Sequence, residues 1–247
     1  MPNHVTNRIT GPKSLIDRLM GEHEGKPCVD FAKIVPVPDV IVQDSVASHV
    51  ESAAEIALGL IDFANPPRNN ALADFQSGNY GSASDALHYS NCVRQLREGP
   101  HPKDFNDADF ASFLAYLRAW KETGYMNWYQ WNTANWGTKW NAYDTNRISD
   151  EIVLFDTAWS APHPVMCKLA ESGGEFLHEW ADEDTGSNVG RVRYSGDSEP
   201  LVEDLKGTRE GYELAFEFDP DKKRYYRLQG DSYEYFDPDE VATSQTE

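Results

Sequence analysis

Seven histidines (His4, His23, His49, His88, His101, His163 and His178) and three cysteines (Cys28, Cys92 and Cys167) could ligate a metal or supply a nucleophile and its base. Their spacing does not favour such chemistry. No two histidines stand at metal-ligand spacing, and without a Cys-x-x-Cys pair no structural zinc site is expected. There is no Gly-x-Ser-x-Gly elbow and no glycine-rich phosphate loop with lysine. Asp182-Glu183-Asp184 puts three carboxylates in a row, but the spacing fits no calcium loop and reads as a solvated loop. His178 alternates with Phe176 and Trp180 as a core residue would, and His163 stands between prolines at a helix start. Glu213 and Glu217 fall on one face of a predicted strand, with no acid–base partner. The expectation is a non-enzymatic protein without catalytic residues, metal or cofactor.

Charge is the stronger signal. Forty-one acids oppose twenty-two bases, a net charge of −19. From Glu175 to Glu247 there are twenty acids and eight bases, so −12 of that charge lies in this stretch and −7 in residues 1–174. Such a field repels nucleic acid and anionic membranes and attracts basic protein surfaces. No run of eighteen apolar residues could span a bilayer, and the opening lacks the apolar core of a signal peptide. A cytoplasmic location is therefore expected, with the cysteines reduced and buried as small hydrophobes.

The elements that would position these residues can be read from periodicity. Val5 to Thr10 is a strand, Pro12 to Met20 a helix, and Cys28 to Val35 a second strand. A helix carrying Val46, Val50, Ala53, Ala57 and Leu60 follows, capped by Asp44 or Ser45 and stopped at Asn65-Pro66-Pro67. Further helices run from Ser84 to Arg97 and from Asp104 to Thr123, the latter capped by Asn106 or Asp107, with a face of Phe110, Phe113, Leu114, Leu117 and Trp120. Ile148 to Thr157 is a buried strand, and a short helix opens at Ala161-Pro162. Glu175 to Asp182 and Val189 to Tyr194 form a hairpin. An acidic linker, Asp197 to Arg209, leads to a meander in which Tyr212, Leu214, Phe216 and Phe218 alternate, and the chain closes in a frayed tail from Asp237.

Four of the seven tryptophans, Trp128, Trp131, Trp136 and Trp140, fall in residues 125–144 among asparagines and threonines. They could form an aromatic platform for bases, sugar or peptide. The plainer reading makes them plugs between the helical segment and the sheet, with the amides satisfying buried backbone. Three segments carry a resemblance: Pro2-Asn3-His4-Val5-Thr6-Asn7, Asn135-Trp136-Gly137-Thr138-Lys139-Trp140-Asn141-Ala142-Tyr143-Asp144, and Phe155-Asp156-Thr157-Ala158-Trp159-Ser160-Ala161-Pro162. Over residues 1–195 the chain resembles the YubB ferredoxin-like family of phage and plasmid proteins. The resemblance implies a mobile-element origin and supplies no catalytic residue.

The fold class expected is α+β. It combines a ferredoxin-like β-α-β-β-α-β core (residues 1–39 and 126–195), an all-helical insert between strands 2 and 3 (40–125), and a C-terminal acidic β-meander and tail (196–247). The function expected is inhibition of a host defence system, of anti-CRISPR or anti-restriction type. The acidic face would occupy a basic nucleic-acid or guide-RNA surface on a host protein or multisubunit ribonucleoprotein. Asp182, Glu183, Asp184, Glu203, Asp204, Trp128 and Trp131 are the expected contact residues, with no direct nucleic-acid or membrane contact. The alternatives are a nucleic-acid-binding module using the tryptophans, a metal-dependent nuclease, and an acidic phage housekeeping protein.

Overall fold

The computed structural model describes residues 3–61, 80–196 and 198–237. Two compact units divide the chain: Met1–Val37 with Asn132–Glu247, and Pro38–Trp131. In chain order, β1 (His4–Thr10) and α1 (Lys13–Leu19) lead to a hairpin of β2 (Met20–His23) and β3 (Lys26–Val29). The second unit holds α2 (Ser48–Ala57), α3 (Tyr80–Glu98) and α4 (Asp107–Thr123), and α5 (Trp128–Asn135) returns the chain to the first. There β4 (Tyr143–Arg147), β5 (Ile152–Ala158), α6 (His163–Ala170), β6 (Glu175–Asp182), β7 (Val189–Ser195) and β8 (Leu201–Asp204) follow. Next come α7 (Arg209–Phe218) and a hairpin of β9 (Tyr226–Gln229) and β10 (Ser232–Tyr235).

Six strands form one antiparallel sheet in the order β4-β5-β1-β6-β7-β8. β1 lies inside it because alternate residues Val5, Asn7 and Ile9 are fully buried. The face carrying them also carries Phe155, Phe176, His178 and Tyr194. Leu15, Ile16 and Leu19 of α1 and Val165, Met166 and Leu169 of α6 add to the same core. Each such aliphatic or aromatic side chain contributes about 1.5–3 kcal/mol.

Three polar side chains, Asn7, Thr157 and His178, sit in that core. Asn7 Nδ2 donates to the Val5 carbonyl (2.8 Å) and to Thr157 Oγ1 (2.9 Å), which leaves Oδ1 facing His178 Nε2 at 3.0 Å. The neutral His178 ring therefore carries its proton on Nε2. Burial lowers the pKa of His163, and burial together with the neighbouring His163 lowers that of His178 much further.

The opposite face of β6 and β7 is covered by α7. Leu214 and Ala215 pack on Ala181, Val189 and Leu205. Beside them Arg8 pairs with Glu179 at 2.8 Å and with Glu217 of α7 at 2.9 Å.

In the second unit Val50, Ala54, Phe113, Tyr116 and Met126 form the core. Asn106 caps α4 by accepting from Asp109 N at 2.9 Å, and Gly124 ends it at φ 81°.

Several expectations need correction. Cys28 to Val35 is not a strand of the main sheet. Only Lys26–Val29 is extended, paired with β2, and a 3-10 turn at Phe31–Lys33 follows. The strand beside β5 is β4, whose polar Tyr-Asp-Thr-Asn-Arg suits a sheet edge. α2 begins after Ala47 rather than at Asp44 or Ser45. α4 buries Phe113, Tyr116 and Ala119, while Phe110 and Leu114 are exposed. The acidic linker contains β8. Residues 212–218 are helical, because Gly211, Leu214, Ala215 and Phe218 fit the helical period as well as the alternation fits a strand. Thr208 decides it, accepting from Gly211 N at 3.1 Å. The expected meander is thus a helix and a hairpin, within the first unit rather than apart from it. Of the cysteines only Cys92 is buried; Cys28 is half-buried and Cys167 exposed. The Asn65-Pro66-Pro67 stop and all but the first residue of the tail lie outside the described residues.

Asn7→Ala removes both donors and strands the His178 N–H in the core, so urea denaturation should show a loss of about 3 kcal/mol. Stability should also fall as pH drops through 6.5, the ordinary imidazole value. The unfolded chain takes up protons there that the buried rings refuse, so ΔG is full above that pH and lost below it. Denaturation midpoints between about pH 7 and 5.5 should show this slope, and His178→Gln should flatten it.

Candidate functional site

The three segments of the sequence resemblance meet on the sheet. His4 and Thr6 stand on the face of β1 away from α6, Asp156 lies opposite Thr6 on β5, and Tyr143 lies opposite Asp156 on β4. Tyr143 Oη lies 2.9 Å from His4 Nδ1, the rings meet edge to face at 5.5 Å, and His4 Nε2 is 3.8 Å from Glu183 Oε1. Burial, reinforced by Asp156 and Asp144, pushes Tyr143 up to about 12, so its hydroxyl stays protonated beside His4. Burial raises Asp156 too, against a hydrogen bond from Thr6. Tyr143, His4 and Glu183 thus form a row of polar groups at a half-exposed position. Sequence reasoning missed it as a site, because its members lie far apart in the chain. The signal was that four of them, His4, Thr6, Tyr143 and Asp156, belong to the three quoted segments.

The expected acidic contacts fall at one end of the same sheet. Asp204 of β8 is opposite Gly190, Gly190 is opposite Trp180, and Gly207 N donates to the Gly186 carbonyl at 2.9 Å. This joins the end of β6 and its following loop, with Asp182, Glu183 and Asp184, to the end of β8, with Glu203 and Asp204.

The five carboxylates are not equivalent. Asp182 is half-buried, and burial raises its pKa against a hydrogen bond from Asn188. Glu183 faces His4. Glu203 accepts from Arg191 at 2.8 Å, and Arg191 also reaches Glu210. Asp204 accepts from Lys206 N at 3.0 Å. Asp184 is exposed. Glu213 and Glu217 lie on α7, paired with Arg209 and Arg8, so no strand face carries them.

The tryptophans do not form a platform. Trp131 and Trp136 are each 5% exposed and Trp128 is half-buried. Trp136 Nε1 donates to the Val35 carbonyl at 2.9 Å and its ring meets Phe31 edge to face. Thr138 Oγ1 donates to the Ala158 carbonyl at 2.8 Å, and Asn141 Oδ1 accepts from Phe31 N at 2.8 Å. Gly137 must be glycine: its φ is 78°, and a Cβ would lie 2.5 Å from Pro164 Cδ. This segment is a clasp of the fold. The exposed rings are Trp140 and Trp159, with Lys139 Nζ 4.7 and 4.6 Å from their centroids.

A family model described as "Ferredoxin-like domain in Api92-like protein" matches residues 135–219. The chain carries a ferredoxin-like domain. In that domain β4 to α7 are consecutive, so β8 and α7 fall within the match, and it extends beyond the residue 195 limit drawn from sequence. No curated protein matches the chain. A crystal structure of protein api92 from Yersinia pseudotuberculosis aligns over 83% of this chain and 99% of its own, at 13% identity and a TM-score of 0.34. The fold is mixed α+β, and no described helix is long and apolar enough to cross a membrane.

Among the described residues one group has the donors to hold a metal: Glu55, His88 and Cys92. No pairing of histidines marks it in the sequence. The local signal was His88 and Cys92 four apart on one helix.

Trp136→Ala should cost about 3–5 kcal/mol in urea denaturation. Trp140→Ala should stay within about 0.5 kcal/mol of the parent, because that ring is a surface contact.

Proposed function

We propose that this chain is a non-enzymatic binding protein that engages a basic protein surface through the acidic end of its sheet. One observation carries this reading: β8 is a bare, acidic sheet edge. It is the last strand of the sheet, and no strand among the described residues pairs with its outer side. All four of its residues are exposed, Leu201 at 59% and Val202 at 63%. Edge strands of this kind usually carry lysine or proline, which turn other strands away. Here Glu203 and Asp204 make the edge selective instead. A strand from the partner can extend the sheet by backbone hydrogen bonds, with its basic side chains opposite the acids. The net −12 of the last seventy-three residues speeds the encounter.

The same surface disfavours nucleic acid. On the face where ferredoxin-like sheets stack bases, Arg8 and Arg191 are engaged by Glu179, Glu217, Glu203 and Glu210, and α7 covers part of β6 and β7. The basic partners that fit are proteins whose own task is to hold DNA or guide RNA. The likeness of the three segments to phage and plasmid proteins favours the channels of host restriction enzymes and CRISPR effectors as targets. In this reading the protein is an inhibitor that takes the place of the nucleic acid.

The test is titration of purified restriction and CRISPR effector complexes with the full chain. Binding should weaken with salt, and Glu203→Lys with Asp204→Lys should lower affinity by about tenfold or more, about 1.4 kcal/mol. Glu183→Lys with Asp184→Lys should act in the same direction. Tight binding that ignores both pairs of reversals would overturn the acidic-edge mechanism.

A further inference from the structure

The helical unit contains a group that the acidic surface does not use. Glu55 lies on α2, with its side chain 12% exposed. His88 and Cys92 lie one turn apart on α3, so both side chains project from the same face of that helix toward Glu55. His88 Nε2 is 3.1 Å from Glu55 Oε2, Cys92 Sγ is 3.7 Å from His88 Nε2, and Cys92 Sγ is 3.9 Å from Glu55 Oε2.

These separations can be compared with those of a tetrahedral metal centre. Bond lengths of about 2.3 Å to sulfur and about 2.05 Å to nitrogen and oxygen put sulfur about 3.6 Å from each of the other ligands, and nitrogen about 3.3 Å from oxygen. The observed triangle differs from this by a few tenths of an ångström on each side, so one point lies within bonding reach of all three atoms. We propose that Glu55, His88 and Cys92 form a three-ligand site for a zinc-class divalent cation, with the fourth position open to water.

The donor set selects the ion. Thiolate and imidazole favour zinc and cobalt over magnesium and calcium, which take oxygen. The charges also balance: a Glu55 carboxylate and a Cys92 thiolate together neutralise a doubly charged ion in a place where burial disfavours either anion alone. On binding, Cys92 releases its thiol proton to solvent and the neutral His88 ring gives its Nε2 lone pair. A hydrogen bond from Ser52, itself buried, supports the sulfur. The ion would fasten α2 to α3 by direct bonds.

The plainer reading is a His88–Glu55 ion pair beside a buried thiol. It predicts no sulfur-to-metal bond, so cobalt(II) distinguishes the two. The full chain, stripped with chelator and reduced, is titrated with cobalt(II). One equivalent should produce a near-ultraviolet thiolate-to-cobalt charge-transfer band with visible bands of tetrahedral intensity, and zinc should abolish both by displacement. Cys92→Ser should lose the charge-transfer band, whereas Cys28→Ser and Cys167→Ser should keep it. His88→Gln, a change at a half-exposed side chain, should weaken zinc affinity about a hundredfold while leaving the helical circular dichroism intact. Absence of the band in a chain with intact helical signal, or its survival in Cys92→Ser, would overturn the site.

Discussion

The buried amide of Asn7 is the constraint on which the sheet depends. β1 has a strand on each side, and its middle residue faces the apolar core, where a polar group without partners is expensive. Asn7 meets that cost by bonding in both directions, to Thr157 on β5 and to His178 on β6. Thr157 in turn donates to the Ser160 carbonyl at 2.9 Å, and Ser160 Oγ reaches the Gly137 carbonyl. A single chain of polar contacts thus runs from the middle strand to the clasp that follows α5. Each pair works in only one register, so a slip of β1 by one residue would bury a polar group with no partner. The network specifies the alignment as well as contributing to stability.

The other face of the sheet follows a different rule. It is held by ion pairs instead of aromatic rings: Arg8 with Glu179 and Glu217, and Arg191 with Glu203 and Glu210. Glu179 is nearly buried, so its pairing with Arg8 matters more than an exposed pair would. α7 lies over β6 and β7 beside these pairs and removes part of the open face that a ferredoxin-like sheet would otherwise present. Two cations of that face, Arg8 and Arg191, are thus committed internally, Arg193 beside them is exposed, and the more numerous acids set the sign of the surface.

Much of this architecture was legible in the sequence where local signals agreed. Val5, Asn7 and Ile9 mark β1 by alternation, Asn106 and Gly124 bracket α4, and Phe176 to Trp180 mark β6. Legibility failed where two periods competed or where context alone decides. Residues 212–218 satisfy both a strand and a helix pattern, and only the Thr208 cap separates them. β4 and β8 carry little apolar patterning because both are edges, and pairing with β5 and β7 makes them strands. The candidate sites show the same split. The acidity around Asp182 and Glu203 is visible as composition, but that Glu203 is tied to Arg191 and Glu183 to His4 is not. Tyr143 and His4 are 139 positions apart, and nothing local joins them.

The separation between β1 and its neighbours matters while the chain is being made. Asn7 waits for Phe155, 148 residues later, and for His178, 171 residues later. At ordinary translation rates that is a delay of roughly 7 to 30 seconds after β1 emerges. Meanwhile Pro38–Trp131 is made, and among the described residues its core cluster is built from that unit. β1 is therefore made well before either of the strands that pair with it. Any ribosome that stops before β5 releases a chain whose future middle strand has both edges bare, a form that only a chaperone or a protease can deal with safely.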